Sequence, residues 1–145
     1  MPASSLYLDT NLLVAIYVEQ EASHRVTAWF EAQSAEFVVS DWTLVEFTSA
    51  LGLKVRTGEL SARQADDVQA KLEETLMPLL QVLAIDRPVF ARAQMLMRSY
   101  ALGLRAADAL HLAMCVGEEP RTLATADRVL YAAAKRLKQS AVRVV

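Results

Sequence analysis

Short apolar runs alternate along the chain with longer stretches in which apolar positions recur every three or four residues. The short runs predict buried strands and the longer stretches predict helices. Strands are predicted at residues 6–8, 37–39, 80–85, 121–124 and 141–145. Helices are predicted at residues 12–18, 22–32, 42–56, 61–76, 86–100, 105–116 and 127–138. This alternation predicts an α/β fold, a three-layer sandwich in which a parallel sheet of about five strands is flanked by helices.

Several helix ends are marked by residues with defined capping or breaking roles. Ser61 and Gln64 form a capping-box pattern at the start of the fourth helix. Pro88 stands in the first turn of the fifth helix, and Gly103 ends the stretch after it. One stripe is predicted along the third helix, comprising Trp42, Val45, Ser49 and Leu53.

Composition narrows the class of protein. With 145 residues, of which 54% are hydrophobic and only 4 are Gly and 4 Pro, residues 1–145 are expected to form one globular domain. The single cysteine excludes an internal disulfide and a Cys-rich zinc site. The longest plain apolar run, residues 12–18, is too short to span a bilayer, and no basic segment resembles a secretory signal. We therefore expect a soluble, cytoplasmic protein with no membrane partner.

Charge divides the chain into an acidic body and a basic C-terminal edge. Residues 1–120 carry 9 Lys and Arg against 16 Asp and Glu, whereas residues 121–145 carry 6 against 1. The formal charge of −2 is not that of a bulk nucleic-acid binder. The basic edge is typical either of a solvated helix face or of a local strip that contacts phosphates.

Four acidic residues stand where a carboxylate is either costly or well placed for chemistry. Asp9 directly follows the first predicted strand, and Asp127 comes shortly after the fourth. Because the carboxyl ends of parallel strands share one edge of a sheet, both should lie at that edge. Glu46 and Asp108 have apolar neighbours on predicted helices, where a buried charge needs a partner or a metal.

Each acid also has an interpretation without function. Asp9 and Asp127 suit the capping of the helices that follow them, and Asp108 suits the helix dipole or a pair with Arg105. Glu46 fits an exposed helix face. If the four converge, two charges 4 Å apart repel by about 4 kcal/mol at an effective dielectric near 20. Such a cluster is sustained by protonation or by a divalent cation, and all-oxygen ligands favour Mg²⁺ or Mn²⁺.

Four short motifs occur in order along the chain, and their acids are separated by 37, 62 and 19 residues. They are Asp9-Thr10-Asn11 after the first strand, Ser40 with Glu46, the run from Arg105 to Ala113 that contains Asp108, and Thr125-Ala126-Asp127. In this combination the chain resembles the PIN-domain ribonucleases, and among them the VapC-type toxins of bacterial toxin–antitoxin pairs. The resemblance extends from Leu6 to Val144.

The resemblance implies a site, an activity and partners. It implies a PIN-like sandwich that hydrolyses RNA phosphodiester bonds with Mg²⁺ or Mn²⁺, forms a homodimer and is silenced by a VapB-type antitoxin. The acidic quartet that holds the metal is matched by Asp9, Glu46, Asp108 and Asp127, and its polar helpers by Asn11 and Thr125. The basic candidates for RNA contacts are Arg105, Arg128, Lys135 and Arg136, and the candidates for antitoxin contact include Val68 and Leu72.

Two other functions stay open. One is a phosphomonoesterase with an acidic metal site, although the haloacid-dehalogenase type needs an Asp where Asn11 stands. The other is a non-catalytic α/β binding module. His111 lies three residues after Asp108 on the same helix face, but a core or boundary histidine is the favoured interpretation. Cys115 is predicted to serve packing.

Overall fold

A parallel sheet of five strands forms the centre of the computed structural model, which describes residues 5–117 and 119–145. The strands are β1 (Ser5–Leu8), β2 (Glu36–Ser40), β3 (Leu80–Leu83), β4 (Thr122–Thr125) and β5 (Ala141–Arg143). Every neighbouring pair is parallel. The five predicted strands are confirmed, and the third and fifth end about two residues earlier than their apolar runs.

The strand order is β3-β2-β1-β4-β5, so β1 lies in the middle of the sheet. Tyr7 of β1 is in register with Val38 on one side and with Leu123 on the other. The chain builds outward from β1 to β3 and then returns to the opposite side of β1 for β4. The gap between the carboxyl ends of β1 and β4 is therefore the topological switch point, where open α/β sheets bind ligands.

Seven α-helices occur within the described residues, one for each predicted helix. They are α1 (Thr10–Tyr17), α2 (Ser23–Glu31), α3 (Asp41–Arg56), α4 (Ala62–Thr75), α5 (Arg87–Arg98), α6 (Ala106–Cys115) and α7 (Arg128–Arg136). Short 3₁₀ turns at Met77–Leu79 and Tyr100–Leu102 follow α4 and α5. Ser61 and Gln64 form the predicted capping box, with Ser61 Oγ accepting from the Gln64 N–H at 3.0 Å.

Alternating side chains of the strands point into two separate cores. In the first core, Leu8, Val39 and Ala124 pack with the apolar faces of α1 to α4. In the second core, on the other face of the sheet, Tyr7, Val38 and Leu123 pack with α5, α6 and α7. The sheet is thus covered on both faces, which confirms the three-layer sandwich and explains why the strands lack clean polar alternation. Cys115 lies buried in the second core, as predicted.

The predicted stripe on α3 is wrong. Val45 and Leu53 are 58% and 55% exposed, whereas the buried residues of α3 are Thr43, Phe47 and Leu51. These three are spaced four residues apart and form one buried row, in which Phe47 and Leu51 pack in the first core and Thr43 bonds to Ser40. The helix is therefore rotated from the predicted orientation, and this rotation carries Glu46 to the boundary between core and solvent.

None of the helices in the described ranges combines the length and apolar character needed to cross a membrane.

Candidate active site

The four predicted acids come together at the carboxyl edge of the sheet. Asp9 directly follows β1, and its backbone N–H donates to the carbonyl oxygen of Ala124 at 2.9 Å. Asp127 comes two residues after β4, while Glu46 lies in the second turn of α3. Asp108, in the first turn of α6, experiences the negative charge of all three others. The switch point is therefore lined with carboxylates.

Asp9 is a buried carboxylate whose side chain bonds to Thr125 and does not cap the helix after it. It stands at the N-cap position of α1, but the described structure shows no capping hydrogen bond from its side chain. Instead, its Oδ2 accepts from Thr125 Oγ1 at 2.7 Å, and the residue is only 4% exposed. Burial raises the pKa of Asp9, against the opposing effects of His111 and Thr125. Thr125 thus orients an acid whose charge is costly to keep.

Glu46 is held at one oxygen by two neighbours. Its Oε1 accepts from Thr10 Oγ1 at 2.7 Å and lies in hydrogen-bonding contact with His111 Nε2. Burial raises the pKa of Glu46, but the contacts with His111 and Thr10 outweigh burial, and the net pKa lies below its ordinary value. The Glu46 side chain is 26% exposed and lines the cleft.

Asp127 combines a capping role with a place in the cleft. Its Oδ1 accepts from the Leu130 N–H at 2.9 Å, so the capping interpretation of this residue is confirmed. Its own N–H donates to Thr125 Oγ1 at 2.9 Å, so Thr125 ties together both acids that follow strands. Asp127 also lines the cleft beside Asp108.

Asp108 carries the clearest sign of crowded negative charge. Burial, followed by the charges of Asp127 and Asp9, raises its pKa from 3.8 to about 6. The alternative pair with Arg105 is not among the ion pairs of the described residues. The acid is thus held by the fold in a place where its carboxylate is not neutralised.

Three of the four acids line a cleft of about 380 Å³ whose chemistry fits a divalent cation. Its polar lining comprises Glu46, Asp108, Asp127 and Arg105. Carboxylate oxygens are the ligands that Mg²⁺ and Mn²⁺ prefer. A bound cation would relieve the repulsion from Asp127 and Asp9, which adds to burial in raising the pKa of Asp108. The carboxylates of the predicted quartet are thus available as candidate metal ligands.

His111 and Thr10 contact the acids of the site, which the sequence did not predict. His111 is buried as predicted, at 1% exposure, yet its Nε2 lies beside Glu46 and 3.7 Å from Asp9 Oδ1. Asp9, Glu46 and His111 offer possible ligand atoms that all lie within 4.8 Å of one another. Thr10, rather than the neighbouring Asn11, donates a hydrogen bond to Glu46, and Asn11 is exposed on α1. The sequence signal was the i+3 spacing of His111 from Asp108.

The basic candidates divide into two groups, one close to the acids and one at the far end of α7. Arg105 lines the cleft, and Arg128 is exposed directly after Asp127. Lys135 and Arg136 lie in the last turn of α7, about 12 Å further along the helix at 1.5 Å per residue. The structure therefore places only the first two next to the acids.

Three solved structures share this fold along most of their length. FitAcB from Neisseria gonorrhoeae has a TM-score of 0.74 at 23% identity, covering 95% of this chain and 96% of that one. Mycobacterium tuberculosis VapC20, described as a sarcin–ricin loop cleaving toxin, has a TM-score of 0.63 at 16% identity, covering 81% and 86%. A toxin–antitoxin complex from Klebsiella pneumoniae has a TM-score of 0.59 at 19% identity, covering 86% and 87%. At these identities the likeness establishes the fold.

The family is established by sequence. No curated protein gives a significant match to the chain. The PIN domain family model, however, matches residues 6–136, which include all four clustered acids. The chain therefore belongs to the PIN domain family.

Proposed function

We propose that the protein is an endoribonuclease that uses Mg²⁺ or Mn²⁺ to hydrolyse RNA phosphodiester bonds, and that it acts as the toxin of a VapBC-type pair. The observation that carries the proposal is a cluster of four acids, in which Glu46, Asp108 and Asp127 line one cleft and the buried Asp9 is close enough for its charge to act on Asp108. Membership of the PIN family and the RNA-loop-cleaving toxin among the structural neighbours support this activity.

The quartet supplies the ligands, and Thr125 supplies their orientation. A divalent ion bound there would provide electrostatic stabilisation of the phosphate and acidification of water. Thr125 holds Asp9 by its Oδ2 and the Asp127 backbone by its N–H, so the two carboxylates keep a fixed separation. Because Asp127 uses Oδ1 to cap α7, its other oxygen is the one available to the cleft.

Arg105 and Arg128 are the residues that we assign to RNA phosphates. Arg105 lines the same cleft as the acids, and Arg128 lies exposed at the start of α7. A guanidinium recognises phosphate through paired N–H donors, and it would offset the acidic lining that otherwise repels RNA. Lys135 and Arg136, at the far end of α7, would contact RNA only beyond the scissile bond. We also propose that Asn11, which lies next to Thr10, is a polar residue that supports the acids.

The activity is tested with the purified chain and total cellular RNA. Discrete cuts are expected with Mg²⁺ or Mn²⁺, and none with EDTA or in Asp9→Asn. The matched control is Asp67→Asn, which removes an exposed carboxylate from α4 and should leave cleavage unchanged. If the folded chain binds Mn²⁺ but cuts no RNA, the ribonuclease proposal fails. Hydrolysis of small phosphomonoesters by the same sample would then identify the alternative enzyme.

We also propose that the antitoxin binds in the groove between α3 and α4 and that the chain forms a homodimer. The groove has a volume of about 380 Å³ and is lined by Leu51, Gly52, Val55 and Ala65, among others. The toxin–antitoxin complex among the structural neighbours supports a partner of this kind. Leu72 is not available for such contact because it is buried in the first core, and Val68 packs against the same core.

These two proposals are tested separately. Light scattering on the purified chain measures the dimer. Co-purification with the antitoxin is expected to be weakened by Ala65→Arg, which fills the groove, and not by Asp67→Asn. Unchanged co-purification of Ala65→Arg would place the antitoxin elsewhere.

A further inference from the structure

A line of buried polar groups runs behind Glu46 and away from the cleft. His111 contacts Glu46 Oε1 through Nε2, while its other ring nitrogen, Nδ1, lies 2.8 Å from the hydroxyl of Tyr7. The Tyr7 hydroxyl lies 2.7 Å from Ser40 Oγ at the end of β2. Ser40 is in turn tied to Thr43, whose Oγ1 accepts from the Ser40 N–H at 3.1 Å. The line joins the ends of β1 and β2 to helices α3 and α6.

We propose that His111 is a positioning residue, which keeps its hydrogen on Nε2 and donates it to Glu46 Oε1, so that Glu46 presents its other oxygen to the cleft. His111 itself is not a ligand of the metal. The inference rests on the proposed metal-dependent function for its consequence, but the hydrogen bond itself is a property of the metal-free protein.

The surroundings of Nε2 determine where the hydrogen lies. Nε2 faces Oε1 of Glu46 and stands 3.7 Å from Asp9 Oδ1. A lone pair at this nitrogen would face two acceptors, whereas an N–H satisfies them. Thr10 Oγ1 already donates to the same Glu46 oxygen, so two donors converge on Oε1 and none of these contacts involves Oε2.

The hydrogen bond between the Tyr7 hydroxyl and His111 Nδ1 also agrees with a hydrogen on Nε2. Tyr7 is fully buried, and burial raises the pKa of its hydroxyl, so the group keeps its hydrogen and can donate it to Nδ1. Its oxygen then accepts from Ser40 Oγ. Because the hydrogen bond at one ring nitrogen sets the state of the other, Tyr7 orients the His111 ring and favours the hydrogen on Nε2.

Glu46 needs this support more than Asp9 does. Its side chain is longer, carries more rotatable bonds and is partly exposed, so it loses more conformational freedom when it is fixed in one geometry. Partners of metal-binding carboxylates contribute about 10–100-fold to metal affinity. The hydrogen-bonded line from Ser40 to His111 therefore determines how firmly the Glu46 carboxylate is held for metal binding.

Metal affinity of conservative variants tests the positioning role. His111→Leu retains bulk without a donor, whereas His111→Gln places an amide N–H near the position of Nε2. Titration of the RNA-free protein with Mn²⁺ should give an affinity about 10–100-fold weaker for His111→Leu, a value close to wild type for His111→Gln and an intermediate loss for Tyr7→Phe. An unchanged Mn²⁺ affinity in a folded His111→Leu sample would overturn the proposal.

The hydrogen position is measured directly by ¹⁵N NMR of the histidine ring, in the absence of metal and with Mg²⁺. The chain has 2 histidines, and His24→Gln removes the signal of the exposed one. A hydrogen on Nε2 in both states supports the proposal, and its absence from Nε2 in either state refutes it. A nitrogen coupling to bound Mn²⁺ in electron paramagnetic resonance would also refute it, by making His111 a ligand. If wild type binds no Mn²⁺, the proposed function fails, while the metal-free NMR result still decides the hydrogen bond.

Discussion

Neutralising Asp108 should stabilise the metal-free protein while abolishing its activity. The substitution Asp108→Asn keeps the shape of the side chain and removes a charge that burial and the charges of Asp127 and Asp9 disfavour. Residues that are needed for activity often lower the stability of the folded protein, so replacing them can raise stability while activity is lost. The direction of the effect therefore separates a functional acid from a structural one.

The magnitude follows from the pKa. A rise from 3.8 to about 6 corresponds to about 3 kcal/mol at 1.36 kcal/mol for each tenfold change in acidity. Asp108 is only partly buried, and solvent screening reduces this to about 1 kcal/mol, or about 3 °C in Tm for a chain of this size. The unfolded carboxyl loses its proton near pH 4 and the folded one near pH 6. The gain of Asp108→Asn should therefore be absent below pH 4, grow between these values and be complete above pH 6.

Urea unfolding in EDTA at pH 8 and pH 4, compared with wild type, measures the gain. Asp67→Asn is the matched control, since it removes an exposed carboxylate and should leave stability within about 0.5 kcal/mol of wild type. Saturating Mn²⁺ should reverse the order of stability, because it binds the folded wild type. A loss of stability in Asp108→Asn at pH 8 without metal would refute the claim that the negative charge of Asp108 destabilises the metal-free protein.

Three further outcomes follow from the same structure. Asp127→Ala should lose about 1 kcal/mol of stability in EDTA with the α7 cap, whereas Asp127→Asn should retain it; equal urea midpoints would contradict the capping role. Phe47→Ala should cost about 3–5 kcal/mol in the same assay, while Val45→Ala on the exposed side stays within about 0.5, and similar losses would argue against the observed rotation of α3. Mn²⁺ affinity should fall as pH drops below about 6, because Asp108 then binds a proton; calorimetry that finds no proton release on binding at pH 6 would exclude this coupling.

The sequence predicted the layers and the acids because both depend on local patterns. A strand buried on both faces reads as a short apolar run, and an acid directly after such a run lies at the carboxyl edge in any parallel sheet. Asp9 and Asp127 are of this kind. The order of the strands was not predicted, since pairing between distant segments leaves little trace in a single sequence.

The rest of the site depends on helix rotation, which local patterns leave open. Successive helical residues differ by about 100° in direction, so Thr10 reaches Glu46 while Asn11 faces solvent. The stripe on α3 was wrong for the same reason, because Trp42 and Val45 looked as suitable for the core as Phe47. His111 was hard to interpret because α6 is apolar nearly all round, which makes a buried histidine and a site histidine look alike.

Because β4 lies beside β1 in the sheet, the acidic cluster can be completed only late in the synthesis of the chain. Asp9 and Asp127 are 118 residues apart, and the cleft between them exists only after β4 has paired with β1. At translation rates of about 5–20 residues per second, Asp127 is added about 6–24 s after Asp9. Until then the nascent chain holds Asp9, Glu46 and Asp108 without the strand that closes the switch point. A growing chain therefore lacks the complete acidic cluster until β4 has been made, and under the proposed function it could not cut RNA before that point.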